Sequence, residues 1–157
     1  MLRYLLALVL MLVALPALAQ KRATFITGTF VENAQACERL KDFRSGKPGI
    51  APLAAPGTLT STGVADGASR CSFKSISVKR PGVRWRVVLA CDDDGIPAES
   101  TVDITRKGKD QLVLFLREAA IFWPAELGRG LPVPGRPNVR VIREQVTQTE
   151  TWQRCRP

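Results

Sequence analysis

The residue types best suited to chemistry in this 157-residue chain are four cysteines, Cys37, Cys71, Cys91 and Cys155, with no histidine to work beside them. No two of the four form a Cys-x-x-Cys pair, and without His no familiar zinc set is completed. Neither a dithiol redox centre nor a metal site is therefore expected. An even cysteine count in a short chain that also carries an export signal reads as a disulfide framework. Four cysteines allow three connectivities, and local geometry selects among them. Residues 71–80 and 83–91 have the composition of two strands, with Pro81-Gly82 as the turn between them. A hairpin centred there sets Cys71 opposite or nearly opposite Cys91, where two Cβ atoms come within bonding range. Cys37 and Cys155 then pair by elimination.

Other constellations are weaker. Asp92-Asp93-Asp94-Gly95, with Glu99 nearby, is the densest acidic cluster. Consecutive Asp side chains do not converge as alternating ones do, and the spaced loop of a calcium site is absent, so a solvated hairpin turn is expected. Asp94 could be paired with Glu99 or Asp103 for two-carboxylate chemistry, but with 14 acidic residues many other pairs would serve equally. A serine nucleophile would need Lys as its base, and Ser72 to Ser77 around Lys74 lies within a strand rather than in a suitable turn. No catalytic residue, cofactor or metal is assigned, and an enzyme ranks third among the readings.

The chain carries +9 at pH 7, a surplus that fits a solvated basic surface first and also permits attraction to anionic partners. Arg84 and Arg86, joined by Lys74, Lys79 and Arg80, can form a basic strip on the exposed face of the hairpin. Arg129, Arg136, Arg140, Arg143, Arg154 and Arg156 form a second set. A guanidinium fork suits carboxylate and phosphate. Trp85 alternates to the opposite face from Arg84 and Arg86, so the aromatic interleaving of single-strand binding sites is missing and nucleic acid is not expected. The segment Pro124 to Pro137 (PAELGRGLPVPGRP) reads as a long loop, either a partner-gripping segment with Arg129, Leu131, Val133 and Arg136 as its candidate binding residues or a mobile linker.

These side chains need a scaffold and an address. Arg3, the apolar run Leu5 to Leu15, Pro16 and the small residues of Ala17-Leu18-Ala19 have the three parts of a cleaved secretory signal over residues 1–19. The apolar run is short of the roughly 20 residues that span a bilayer, so no membrane span is expected after cleavage. Residues 20–157 then form one domain.

Within that domain, Ala23 to Val31 suits a strand, and Asn33 can cap a short helix whose stripe is Val31, Ala34, Cys37, Leu40 and Phe43. Residues 50–57 read as a Pro/Ala loop and Thr58 to Val64 as a weak strand. Val83, Trp85, Val87, Leu89 and Cys91 alternate onto one face of the hairpin. Cys71 and Phe73 share that face, while Ile76 and Val78 fall out of phase, which calls for an intervening bulge. Ser100 to Arg106 puts Val102 and Ile104 inward. Leu112 to Leu116 is apolar on both faces, and Ala120 to Trp123 extends or follows it. Asn138 to Cys155 holds one or two strands with Val139, Val141, Val146 and Trp152 as core candidates. Short, regularly spaced strands with a single helix predict a mostly β, α+β domain. Its antiparallel sheet curls into a small barrel or half-barrel with two disulfides.

Gly28-Thr29-Phe30, Cys37, Cys71-Ser72-Phe73, Trp85-Arg86-Val87 with Cys91, and Trp152-Gln153-Arg154-Cys155 occur in an order that resembles small exported, periplasmic proteins of Gram-negative bacteria ending in aromatic-x-Arg-Cys. The resemblance covers most of the chain after the signal and implies a shared scaffold without an activity. Envelope proteinase-inhibitor barrels look similar in size and compartment, but none of their motif residues carries over. The function expected is a periplasmic or secreted module that binds or inhibits an envelope protein or an anionic envelope polymer. A structural envelope domain without a discrete ligand is the alternative.

Overall fold

The computed structural model describes residues 22–46, 55–67, 69–93 and 95–156. The leader at 1–19, most of the loop at 50–57 and Asp94 lie outside the described residues. Strand β1 (Thr29–Val31) leads to helix α1 (Ala34–Arg44), then β2 (Thr58–Thr60), β3 (Gly63–Ala65), β4 (Ser69–Arg80), β5 (Arg84–Asp93), β6 (Ile96–Arg106) and β7 (Gln111–Pro124). A 3-10 turn (Ala125–Leu127), β8 (Leu131–Val133) and β9 (Arg136–Cys155) complete the chain. All strands belong to one sheet of order β1-β2-β3-β4-β5-β6-β7-β9-β8, and every pairing is antiparallel. Phe30 in β1 pairs with both Leu59 in β2 and Arg154 in β9, so the ladder closes on itself like a ring, with β8 flanking it. The mostly β sheet with, among the described residues, one helix and two disulfides is the architecture the strand pattern predicts.

Alternation fills the inside. Trp85, Val87 and Leu89 of β5 meet Phe73, Val102, Ile104, Leu112, Leu114 and Trp152 in a single buried cluster. Each such side chain contributes about 1.5–3 kcal/mol when fully removed from water. The expected bulge in β4 lies between Phe73 and Ser75, and a second irregularity precedes Arg80. Cys71 faces Cys91 in the ladder, and the two are bonded with a Cα separation of 3.9 Å. Cys37 is bonded to Cys155, Cα atoms 5.4 Å apart. That bond ties α1 to the end of β9 beside a small cluster of Val31, Ala36 and Leu40. Gly63 is required where β3 crosses β4, because a Cβ there would come within 1.8 Å of the Cys71 carbonyl oxygen.

Three expectations are corrected. Ala23 to Thr27 is not strand: only Thr29–Val31 pairs, and the preceding residues turn inward. Ala23 and Ile26 are buried, and Phe25 stacks on Trp85 with ring centroids 4.0 Å apart. The high β-propensity of this segment expresses burial, which a plug satisfies as well as a strand. The helix is where Asn33 predicts it, with Asn33 Oδ1 accepting the Ala36 N–H at 2.8 Å. Its buried stripe is Ala36 and Leu40, whereas Ala34 and Phe43 are exposed, since a period of 3.6 drifts away from a strict repeat of three. Residues 124–137 are no plain loop. The 3-10 turn and β8 fold them back on β9, with Leu131 opposite Val141, and Gly130 approaches the Val141 carbonyl too closely for any Cβ. Among the described residues, no helix is long and apolar enough to cross a membrane.

Candidate functional site

The outer face of β5 and β6 holds the one buried charged residue of the described chain, Asp103, which is 1% exposed. It sits between the inward-facing Val102 and Ile104, so alternation points it outward, directly across from Arg86. Arg84 lies two residues along β5 on the same face. Arg117 arrives differently. The β6–β7 register slips between Thr101 and Val102, and Arg117 is the extra residue of β7, left without a partner in the ladder. Alternation from Phe115, which lies across from Asp103, already sends Arg117 outward, and the bulge leaves it unpaired beside Glu118, the two set against the single Thr101.

The three guanidiniums converge on a single carboxylate. Arg86 donates from Nε to Oδ1 at 2.7 Å and from Nη2 to Oδ2 at 3.2 Å. Arg84 Nη2 donates to Oδ2 at 2.8 Å, and Arg117 Nε donates to the same oxygen at 2.7 Å. The hydrogen bonds from Arg86 hold the Asp103 carboxyl far below the usual carboxylate range. Burial opposes that shift, and the bonds from Arg117 and Arg84 reinforce it. Reciprocally, hydrogen bonding to Asp103 raises the Arg86 pKa. A buried carboxylate is costly unless fully satisfied, and here four donors satisfy it.

The chemistry left over is cationic. Three guanidiniums against one carboxylate leave a surplus of two positive charges, and all three side chains stay more than a third exposed. Each keeps N–H donors that do not face Asp103. Arg117 also lies over the Phe115 ring, 5.5 Å from its centroid, which restricts its motion further. A flexible arginine loses side-chain entropy on gripping an anion, and these have already lost much of it. The arrangement therefore presents preset forks that suit carboxylate or phosphate oxygens.

The other predicted site residues are distributed elsewhere. Lys74 pairs with Glu99 rather than joining the strip, and Lys79 and Arg80 are exposed at the hairpin tip. Arg129 precedes β8, Leu131 and Val133 lie on it and Arg136 begins β9, so β6 and β7 separate all four from Arg84 and Arg86 in the sheet. Leu131 is 71% exposed there. Arg154 and Arg156 pair instead with Asp110. In the β5–β6 turn, Asp92 Oδ1 accepts the Gly95 N–H at 2.7 Å, a local turn contact. Asp103 and Arg117 are the residues that sequence reasoning missed as partners of Arg84 and Arg86. Outward placement of Asp103 between Val102 and Ile104 was a readable signal, whereas nothing local announces the bulge at Arg117. No family model matches the chain, and no curated protein or solved structure matches it either.

Proposed function

We propose that this protein is an exported module of the periplasm or the extracellular space that binds anionic partners through Arg84, Arg86 and Arg117. The observation that carries the reading is the anchoring of all three guanidiniums on the buried Asp103 carboxylate. An arginine strip that served only solubility would need no such anchor, and a buried charge is retained only at a cost in stability. The two disulfides support the oxidising compartment, because such bonds persist there and not in the cytosol. The high net charge adds long-range attraction toward polyanions such as acidic envelope polymers.

The test is salt-dependent retention of the oxidised protein on a sulfated polysaccharide matrix. Arg84→Gln with Arg117→Gln leaves the Arg86 fork on Asp103, so the carboxylate keeps a partner and the fold survives. That double variant is expected to elute at clearly lower salt than Arg154→Gln with Arg156→Gln, which removes the same charge from a different place. Equal elution of the two would overturn the reading and leave a structural domain with a basic surface.

An inhibitory version of the module has a separate surface, the 3-10 turn and the β8–β9 hairpin, where Leu127 and Leu131 respectively are exposed. Incubation with envelope and secreted proteinases tests it. Free cleavage of the hairpin without inhibition would dismiss it.

A further inference from the structure

Next to the arginine cluster the sheet is kinked in a way that neighbouring strands share. β7 slips against β6 at Arg117, and at the same level it slips against β9, where Leu116 pairs with Gln148 and Glu118 with Gln145. Val146 and Thr147 are left without ladder partners. The aligned irregularities open a recess of about 390 Å³ on the outer face, within the size range of small-molecule sites. Its two ends differ. Toward one lie Arg86 on β5 and Arg117, which is bonded to Asp103 on β6, and toward the other Thr147 on β9 and Glu118, which is paired with Arg143 on β9; Thr101 and Phe115 also line the recess.

That polarity selects a ligand class. A bare inorganic anion would be met by the arginines and would leave the hydroxyls and the carboxylate of the recess unused. Glu118 repels a second anionic group but accepts hydrogen bonds from hydroxyls, and its side chain remains 41% exposed beside its ion pair with Arg143. Threonine hydroxyls both donate to and accept from the hydroxyls of a sugar. We infer that the recess is a subsite for a carboxylated saccharide, with its carboxylate on Arg86 and Arg117 and its hydroxyls toward Glu118 and Thr147. The inference rests on the anion-binding reading above and narrows it to one ligand chemistry.

Titration calorimetry of the full oxidised protein tests the subsite, with a trisaccharide carrying a single uronic acid unit, the corresponding neutral trisaccharide and inorganic phosphate at matched ionic strength. Measurable heat with the uronate alone is expected, and at least five-fold weaker binding in Thr147→Val, a near-isosteric change at an exposed position. Thermal melting of that variant checks that its fold is retained. Equal binding of phosphate and uronate, or unchanged affinity in Thr147→Val, would overturn the subsite. Matrix retention separates the two levels. Retention that depends on Arg84 and Arg117 without sugar discrimination leaves the polyanion reading standing and removes the recess. Retention independent of both arginines removes the two together.

Discussion

Two aspartates in this protein gather arginines, and they do so in opposite surroundings. Asp103 lies on the long β5–β6–β7 sheet, its side chain only 2% exposed, and it holds Arg84, Arg86 and Arg117. Asp110, in the β6–β7 turn, is 41% exposed and pairs with Arg156 Nη2 at 2.6 Å and more loosely with Arg154 Nε at 3.7 Å. Arg154 is also steadied by Thr27 and by the Phe30 ring. The residue types are the same. Water competes freely for the exposed cluster and screens its charges, whereas the buried one exchanges water for fixed protein donors. The difference teaches that a cluster of opposite charges becomes a rigid device only when its shared partner is desolvated.

Removing the Cys37–Cys155 staple should sharpen that contrast most. Arg154 and Arg156 flank Cys155, so the Asp110 cluster depends on a tethered C-terminus, while the Asp103 cluster depends only on strand register. The staple spans 118 residues of chain. Cys37→Ser with Cys155→Ser is expected to destabilise by about 4 kcal/mol in denaturant unfolding. Amide exchange in the same variant should quicken around residues 109–111 and 152–156 and stay slow at 102–104.

Asp103→Asn comes next, at about 2 kcal/mol, because three guanidiniums lose their charged acceptor on a packed sheet face. Its pH dependence has a defined sign. Asp103 is held below its unfolded value near 3.9, so it contributes stability above that value and loses it as pH falls through the folded one. The wild-type melting midpoint should therefore drop more steeply than that of Asp103→Asn from about pH 5 downward. Parallel curves would break the comparison.

Smaller still is Arg117→Lys, expected to cost about 1 kcal/mol or less. It keeps the charge but gives up the Nε hydrogen bond to Asp103 and the guanidinium's place over the Phe115 ring. Asp110→Asn should leave the unfolding midpoint where it is. Hydrogen bonding from Arg156 lowers the Asp110 pKa, yet its solvated position makes that pairing replaceable by water. A large loss in Asp110→Asn, comparable to that of Asp103→Asn, would show that burial is not what distinguishes the two.

Much of the scaffold is legible residue by residue, because strand alternation and turn chemistry are local. Pro81-Gly82 sets the turn of the β4–β5 hairpin, with Trp85 inward and Arg84 and Arg86 outward, and two register shifts in β4 then bring Cys71 across from Cys91. Asn33 starts the helix for an equally local reason, its side chain reaching an amide three residues on. The segment from Ala23 to Val31 shows the limit of local reading. Its composition asks for burial without saying whether strand or plug will supply it, and only the open end of the ring beside Trp85 decides.

The amino-acid order thus determined a disulfide framework, a hairpin with arginines on its outer face and a single curled antiparallel sheet, all consequences of spacing along the chain. Tertiary structure decided which carboxylate those arginines share, that Arg117 joins them, and that residues 131–133 pair as a strand. The physical reason is register. Asp103, Arg86 and Arg117 sit on three different strands, and a bulge in one ladder changes which side chains meet across it. That outcome belongs to the packed sheet as a whole and to no single stretch of sequence.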